Sequence, residues 1–242
     1  MINYVIEKID KIYHRPKISK FFKNKNVETF IDVGGFKGLY SDIFLKDSKK
    51  IIIFEPQLKY FKFLMNKYKK NKKVFVINNA LGKKNILSKI NINFLESTSS
   101  LSQINNTSKW YKFKKIIFYN KLIKEKQKIR IIKLDSIKKV SQIKDISLIK
   151  IDTEGYEMNI LLGAQKTLKK TKFLLIELHN NKMYKNYDKI EIKNFLIQNN
   201  FVFIKKFKFP FIPFSDHVYM NLKFNKKLWI FKLSIYIFCD NY

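Results

Sequence analysis

Residues 29–38 read Thr29-Phe30-Ile31-Asp32-Val33-Gly34-Gly35-Phe36-Lys37-Gly38: an apolar strand that ends in an acid, a glycine turn, then the start of a helix. Gly34 and Gly35 let the backbone bend sharply and approach a ligand, and Gly38 lets the helix begin close to the sheet. This is the opening unit of an α/β fold. The spacing is not the G-x-G-x-x-G that seats a pyrophosphate on a helix N-terminus, which disfavours a dinucleotide. Asp32 at the strand end suits instead a ligand with a cationic amino-acid moiety. Glycine turns after strands are also ordinary structure, so the stretch gains its weight from the polar strand ends farther along the chain.

Outward from this turn, apolar runs and helical periods alternate, the pattern of strands with crossover helices and a mostly parallel sheet. The spacing predicts strands at Thr29–Val33, Lys50–Phe54, Val74–Asn78, Ser147–Ile151, Lys172–Leu178 and Phe201–Lys206. Helices fall over Leu39–Lys46, Gln57–Lys70, Tyr156–Lys169 and Asp188–Gln198. In the second of these, Tyr60, Phe61, Leu64, Met65 and Tyr68 stand at core-facing spacing. Pro210 and Pro213 bracket a turn before an antiparallel closing strand, His217–Leu222. The expected architecture is a Rossmann-like α/β domain, mostly parallel, with an antiparallel C-terminal strand. It spans residues 27–224. A basic leader precedes it over 1–26, with a short helix broken near Pro16, and an extension occupies 225–242. Between about 83 and 145 the signals weaken around short β-like runs, Ile90–Leu95 and Ile129–Leu134, which reads as an insertion or lid.

Three more strand ends carry polar groups. Ile51-Ile52-Ile53-Phe54-Glu55-Pro56 places a carboxylate 23 residues after Asp32, where it can accept hydrogen bonds from both ribose hydroxyls of an adenosine-containing cofactor. The plainer reading is a carboxylate at a helix N-terminus, with Pro56 starting the helix. Leu148-Ile149-Lys150-Ile151-Asp152-Thr153-Glu154-Gly155 crowds acids at the carboxyl end of a strand, the edge where ligands sit in an open parallel sheet, although Thr153 and Glu154 could also cap the next helix. Phe173-Leu174-Leu175-Ile176-Glu177-Leu178-His179 ends in an acid and a histidine on one face of the strand. His179 suits a general base for an alcohol; its plainer reading is structural. His14 has weaker context, and Asp216-His217 opens a strand that could complete an acceptor pocket.

Composition narrows the options. The chain has 242 residues, 46% hydrophobic and 16% aromatic, which suits one globular domain. The net charge of +31 would recruit polyanions, yet of the fifty basic residues only Arg15 and Arg130 are arginine. Phosphate recognition favours the guanidinium fork. Lysine spread evenly among Asn, Ile, Phe and Tyr is what an AT-rich genome writes at tolerant surface positions, so nucleic acid is disfavoured as a partner, with peripheral attraction to anionic surfaces left open. The single cysteine, Cys239, forms no internal disulfide. The N-terminal segment lacks the apolar core of a signal peptide, and Leu228–Cys239 is about half the length of a membrane span and reads as a strand. A reducing, cytoplasmic place is expected.

Taken in order, Asp32-Val33-Gly34-Gly35-Phe36-Lys37-Gly38, Phe54-Glu55-Pro56, Asn79-Ala80-Leu81-Gly82, Leu134-Asp135-Ser136, Lys150 to Glu157 with Leu162-Gly163-Ala164, and Glu177-Leu178-His179 resemble the FkbM-type methyltransferases. The likeness runs from about residue 29 to 206 and departs from the commoner glycine-turn pattern at Gly35 and Phe36. It implies a class I methyltransferase fold, S-adenosylmethionine as cofactor, and O-methylation of a carbohydrate or natural-product hydroxyl. On that likeness Asp32, Gly34, Gly35 and Gly38 hold the methionine part, Glu55 the ribose, and Asn79 and Ala80 lie near the adenine, with Asp152 beside the cofactor. His179 takes the hydroxyl proton, with Asp152, Glu154 or Glu177 orienting the imidazole or the acceptor. No metal is required, although Mg²⁺ or Ca²⁺ among Asp152, Glu154 and Glu177 is a rival. A competing class is a non-catalytic binder of RNA or acidic glycan on the same fold, which gains nothing from strand-end carboxylates. An RNA base methyltransferase would call for a Pro-rich strand-end motif in place of Asp152-Thr153-Glu154-Gly155.

Overall fold

The computed structural model describes residues 7–108, 111–112, 122–180, 183–210 and 212–225. The expected strand at Leu228–Cys239, Cys239 itself, the C-terminal extension beyond 225 and residues 113–121 of the expected lid lie outside the described residues. The strands are β1 (Thr29–Val33), β2 (Lys50–Phe54), β3 (Val74–Ile77), β4 (Ala80–Leu81), β5 (Ile86–Asn93), β6 (Ile123–Ile132), β7 (Ile146–Ile151), β8 (Thr171–His179), β9 (Phe201–Lys208) and β10 (Phe214–Asn221). The helices are α1 (Arg15–Phe22), α2 (Leu39–Phe44), α3 (Leu58–Lys67), α4 (Lys138–Ser141), α5 (Glu157–Leu162), α6 (Gln165–Leu168) and α7 (Lys189–Gln198).

Seven strands form the main sheet in the order β3-β2-β1-β7-β8-β10-β9. All run parallel except β10, which pairs antiparallel with both β8 and β9. The expected closing strand therefore lies inside the sheet, wedged between its predecessors. Strand order reverses between β1 and β7, and the crevice beyond the carboxyl ends at such a switch point is where open α/β sheets take ligands.

Side-chain alternation divides the core. Ile31, Val33, Ile52, Phe54, Ile149, Ile151, Leu174, Ile176 and Tyr219 pack on one face. Phe30, Ile51, Ile53, Leu148, Phe173, Leu175 and Val218 pack on the other, under Ile18 and Phe22 of α1. With a period of two, Asp32, Lys150, Glu177, His179 and Asp216 share that second face. Pro16 does not break the N-terminal helix. A π-helical turn at Asp10–His14 runs directly into α1, and Pro16 sits in the first turn of α1, just past that wider turn. Ile18 and Phe22 are almost wholly buried, so these leader residues share the core of the sheet.

In α3 only Tyr60 and Leu64, with Tyr68 next in line at the C-cap, are buried; Met65 is about half exposed. The i, i+4, i+8 stripe is narrower than the expected five-residue face because this short helix touches the sheet along a single ridge. The middle section folds into a second sheet, β4-β6-β5, with β5 and β6 antiparallel and β4 parallel to β6. Ile90, Ile92, Ile129 and Ile131 close its inner face.

Candidate functional site

One cavity opens at the carboxyl ends of β1, β2, β7 and β8, and the sequence-selected residues Gly34, Gly35, Glu55, Asn79, Ala80, Asp152, Glu154, Glu177 and His179 all line it. Residues 95 and 97–101, from the start of the expected lid, form part of its wall, and Ser100 donates to the Glu154 carbonyl at 2.6 Å.

The turn after β1 is forced by its neighbours as well as by any ligand. Gly34 has φ +83°, and a Cβ there would stand 2.1 Å from the Asp152 carbonyl oxygen. At Gly35 a Cβ would run into Ile53. Glu55 is 2% exposed. Its carboxylate accepts the backbone N–H of Phe36 at 2.7 Å and of Gln57 at 2.8 Å. Burial pushes its pKa up to about 7, against the lowering effect of those two amides. One acid thus ties the glycine turn to the start of α3 and keeps spare lone pairs toward the cavity.

Asp32 and Gly38 are moved out of the cavity lining. Asp32 is 1% exposed, takes the Ser41 hydroxyl at 2.7 Å and has its other oxygen 3.8 Å from the Lys150 ammonium. On the face it shares with Glu177 and His179 it is covered by α2, whose Ser41 it accepts from, and does not open into the bowl. Gly38, φ +73°, lets the chain pass Tyr68, whose hydroxyl donates to its carbonyl. Its role is helix packing.

Lys150, to which the motif pattern assigns no role, is a hub in the cavity floor. It is 2% exposed and reaches Asp152 at 3.0 Å. Burial pulls its pKa down, but Asp152 and Asp32 outweigh that and hold it above the ordinary lysine value. A lysine inside the apolar run of β7 was the available signal, since a buried ammonium must be paired.

Beside this hub Glu154, Glu177 and His179 gather, each offering an atom within 4.8 Å of the others. His179 Nε2 lies 3.3 Å from Glu177 and 3.9 Å from Glu154. Its backbone N–H donates to the Tyr187 hydroxyl, and Glu154 accepts the Tyr184 hydroxyl. Burial first, then Asp152 and Glu154, drive the Glu177 pKa well above the carboxylate range. The rival cation set is corrected by this geometry: Asp152 turns to Lys150, and His179 takes its place in the cluster.

His217 does not complete the pocket. It sits on the opposite sheet face, bonded to Ser215, and burial, with Lys206 as the next cause, lowers its pKa to about 4. One residue earlier, Asp216 faces the site side and binds His14, which does line the cavity.

Residues 32–204 match the FkbM methyltransferase domain, and the chain belongs to that family. No curated protein is close enough in sequence to match. Among solved structures, a methyltransferase FkbM from Methylobacillus flagellatus KT is similar with a TM-score of 0.54 at 15% identity, covering 81% of this chain and 44% of its own. The chain thus spans less than half of that relative's length. NodS, an N-methyltransferase of Bradyrhizobium japonicum, scores 0.52 at 6% identity over 88% of this chain and 98% of its own. Sp1610 of Streptococcus pneumoniae, named for tRNA (m1A22), scores 0.51 at 11% identity over 87% and 70%. At such identities the likeness shows the fold alone.

Proposed function

We propose that the protein is a cytoplasmic O-methyltransferase that uses S-adenosylmethionine to methylate a hydroxyl of a sugar, glycan or similarly small natural-product acceptor. The carrying observation is that the Glu154–Glu177–His179 cluster and the Gly34–Gly35 turn with Glu55 line one cavity. The donor set suits the cofactor: a glycine turn for close backbone approach, a strand-end carboxylate for ribose hydroxyls, and Asn79-Ala80 farther along the rim. When bound, the cofactor supplies an electrophilic methyl on a sulfonium. What remains for the chain is to align an acceptor oxygen and remove its proton. His179 is the group for that proton, with Glu154 placed to stabilise the imidazolium that forms and Glu177 beside its Nε2. The single cysteine supports the cytoplasmic reading.

A second reading of the cluster has its own observation. Glu177 Oε1 and His179 Nε2 are buried without a hydrogen-bond partner among the described residues, and a divalent cation would satisfy both. With an imidazole in the set, Mn²⁺ or Zn²⁺ would fit better than Mg²⁺ or Ca²⁺.

The test begins with S-adenosylhomocysteine, which should raise the melting temperature; no shift, together with salt-sensitive RNA binding, would leave only the non-catalytic polyanion binder. Methyl transfer from labelled cofactor to a panel of glycosides should then be ~10²–10⁴-fold slower in His179→Ala, with S-adenosylhomocysteine affinity unchanged. Transfer is expected to survive EDTA. Loss in EDTA with recovery in Mn²⁺ would instead establish the cation.

A further inference from the structure

His14, which lines the same cavity, and Asp216 behind it form a second histidine–carboxylate pair, and both stand outside the residues matched to the family, 32–204. His14 is 1% exposed and Asp216 2%. His14 Nε2 lies 2.7 Å from Asp216 Oδ2, which also accepts the Tyr40 hydroxyl at 3.0 Å. A carboxylate only accepts, so in the neutral ring Nε2 carries the proton and Nδ1 is left as an acceptor. That Nδ1 is buried and has no hydrogen-bond partner among the described residues. A buried acceptor left unpaired is costly, while His14 Nε2, Asp216 Oδ2 and the Tyr40 hydroxyl are occupied with one another.

The surroundings describe what would fill the gap. The His14 ring leans on Phe209 at 5.1 Å, and Phe209 on Phe214 at 5.0 Å. Both phenylalanines line the cavity, as do Asp10, Glu154 and Glu177. Aromatic faces give an apolar platform for a ring, and the acid oxygens accept from hydroxyls. Among the described residues the only lysine or arginine on the wall is Lys150, already paired with Asp152 and Asp32, so a phosphorylated or carboxylated acceptor would meet Asp10 and Glu154 with no free cation to pair with.

Resting on the methyltransferase reading, we infer that His14 Nδ1 accepts a hydrogen bond from a hydroxyl of the methyl acceptor, and that the acceptor is an uncharged polyol such as a sugar ring. Asp216 is a positioning residue that sets the imidazole tautomer. The family-matched segment then supplies the donor end, and the flanking segments, which bring His14, Phe209, Phe214 and Asp216, supply acceptor recognition.

The experiment uses the full chain saturated with S-adenosylhomocysteine and labelled with ¹⁵N-histidine. The probes are the methyl glycosides of glucose, galactose, mannose and rhamnose, with methyl glucuronide and glucose 6-phosphate as anionic counterparts. Long-range ¹H–¹⁵N spectra should show His14 protonated at Nε2 and bare at Nδ1, and an uncharged glycoside should shift the Nδ1 resonance. The anionic probes should leave it in place. His14→Phe should weaken glycoside binding ~10-fold or more while S-adenosylhomocysteine still raises the melting temperature. Asp216→Asn should move the proton to Nδ1 and weaken the same glycoside. A bare Nε2 in the wild type, no Nδ1 shift with any glycoside, or a shift with the anions alone overturns the proposal. Failure of S-adenosylhomocysteine to bind the wild type would instead strike the methyltransferase reading beneath it. The tautomer and shift measurements need no variant, so a misfolded His14→Phe leaves the test intact.

Discussion

The two ends of the cavity are built differently. The donor end is short-range: Gly34, Gly35 and Glu55 sit on consecutive strands, and backbone amides within a few residues of each turn fix the acid. The acceptor end is assembled from distant segments. His14 meets Asp216 across 202 positions, and Glu154, Glu177 and His179 come from two strand ends with Tyr184 and Tyr187 behind them. A donor end of this kind can be shared across a family because its geometry travels with a local motif. An acceptor end of this kind changes whenever a flanking segment changes.

Lys150 joins the two ends, so breaking it should have the largest effect. Lys150→Met leaves Asp32 and Asp152 without their buried cation, and the expected cost is about 3–5 kcal/mol of unfolding free energy, read from denaturant melts. A loss below about 1 kcal/mol would mean that the row is held by hydrogen bonds alone.

Next comes Gly34→Ala, which attacks the donor end alone. The new methyl meets the Asp152 carbonyl on a backbone with φ +83°, and neither strand end can yield cheaply. About 2–3 kcal/mol of destabilisation is expected, with S-adenosylhomocysteine affinity falling more than glycoside affinity. Equal losses would show that the two ends are one mechanical unit.

The smallest expected effect sharpens the contrast by pH. With the Glu55 pKa at about 7, the ionised fraction drops ~10-fold between pH 8 and pH 6, and S-adenosylhomocysteine binding should weaken by a similar factor as pH falls, measured by calorimetry. Because the folded pKa lies above the ordinary value, Glu55 favours the ligand-free fold most at low pH, and that contribution is lost as pH rises through about 7. Flat binding over that range would separate Glu55 from the ribose.

The legible parts of the molecule are those written locally. The strand ends at Asp32, Glu55, Asp152 and His179 stand out because an apolar run stops on a polar residue, and the helix over Lys189–Gln198 because Asp188 caps it. Lys150 is visible as a lysine in an apolar strand but carries no meaning until its partners are known. His14 is silent in the sequence because nothing within ten residues explains it. His217 draws attention that belongs to Asp216, since one step along a strand reverses the face and the sequence does not say which parity looks toward the site.

By itself the amino-acid sequence determined the α/β alternation, the glycine turn after β1 and the set of strand-end acids, because each depends on residues a few positions apart. The tertiary structure alone decided that Asp32 lies behind the floor, that β10 inserts beside β8, and that His14 finds Asp216. Those outcomes depend on sheet order and side-chain parity, which arise only when segments far apart in the chain close a common core.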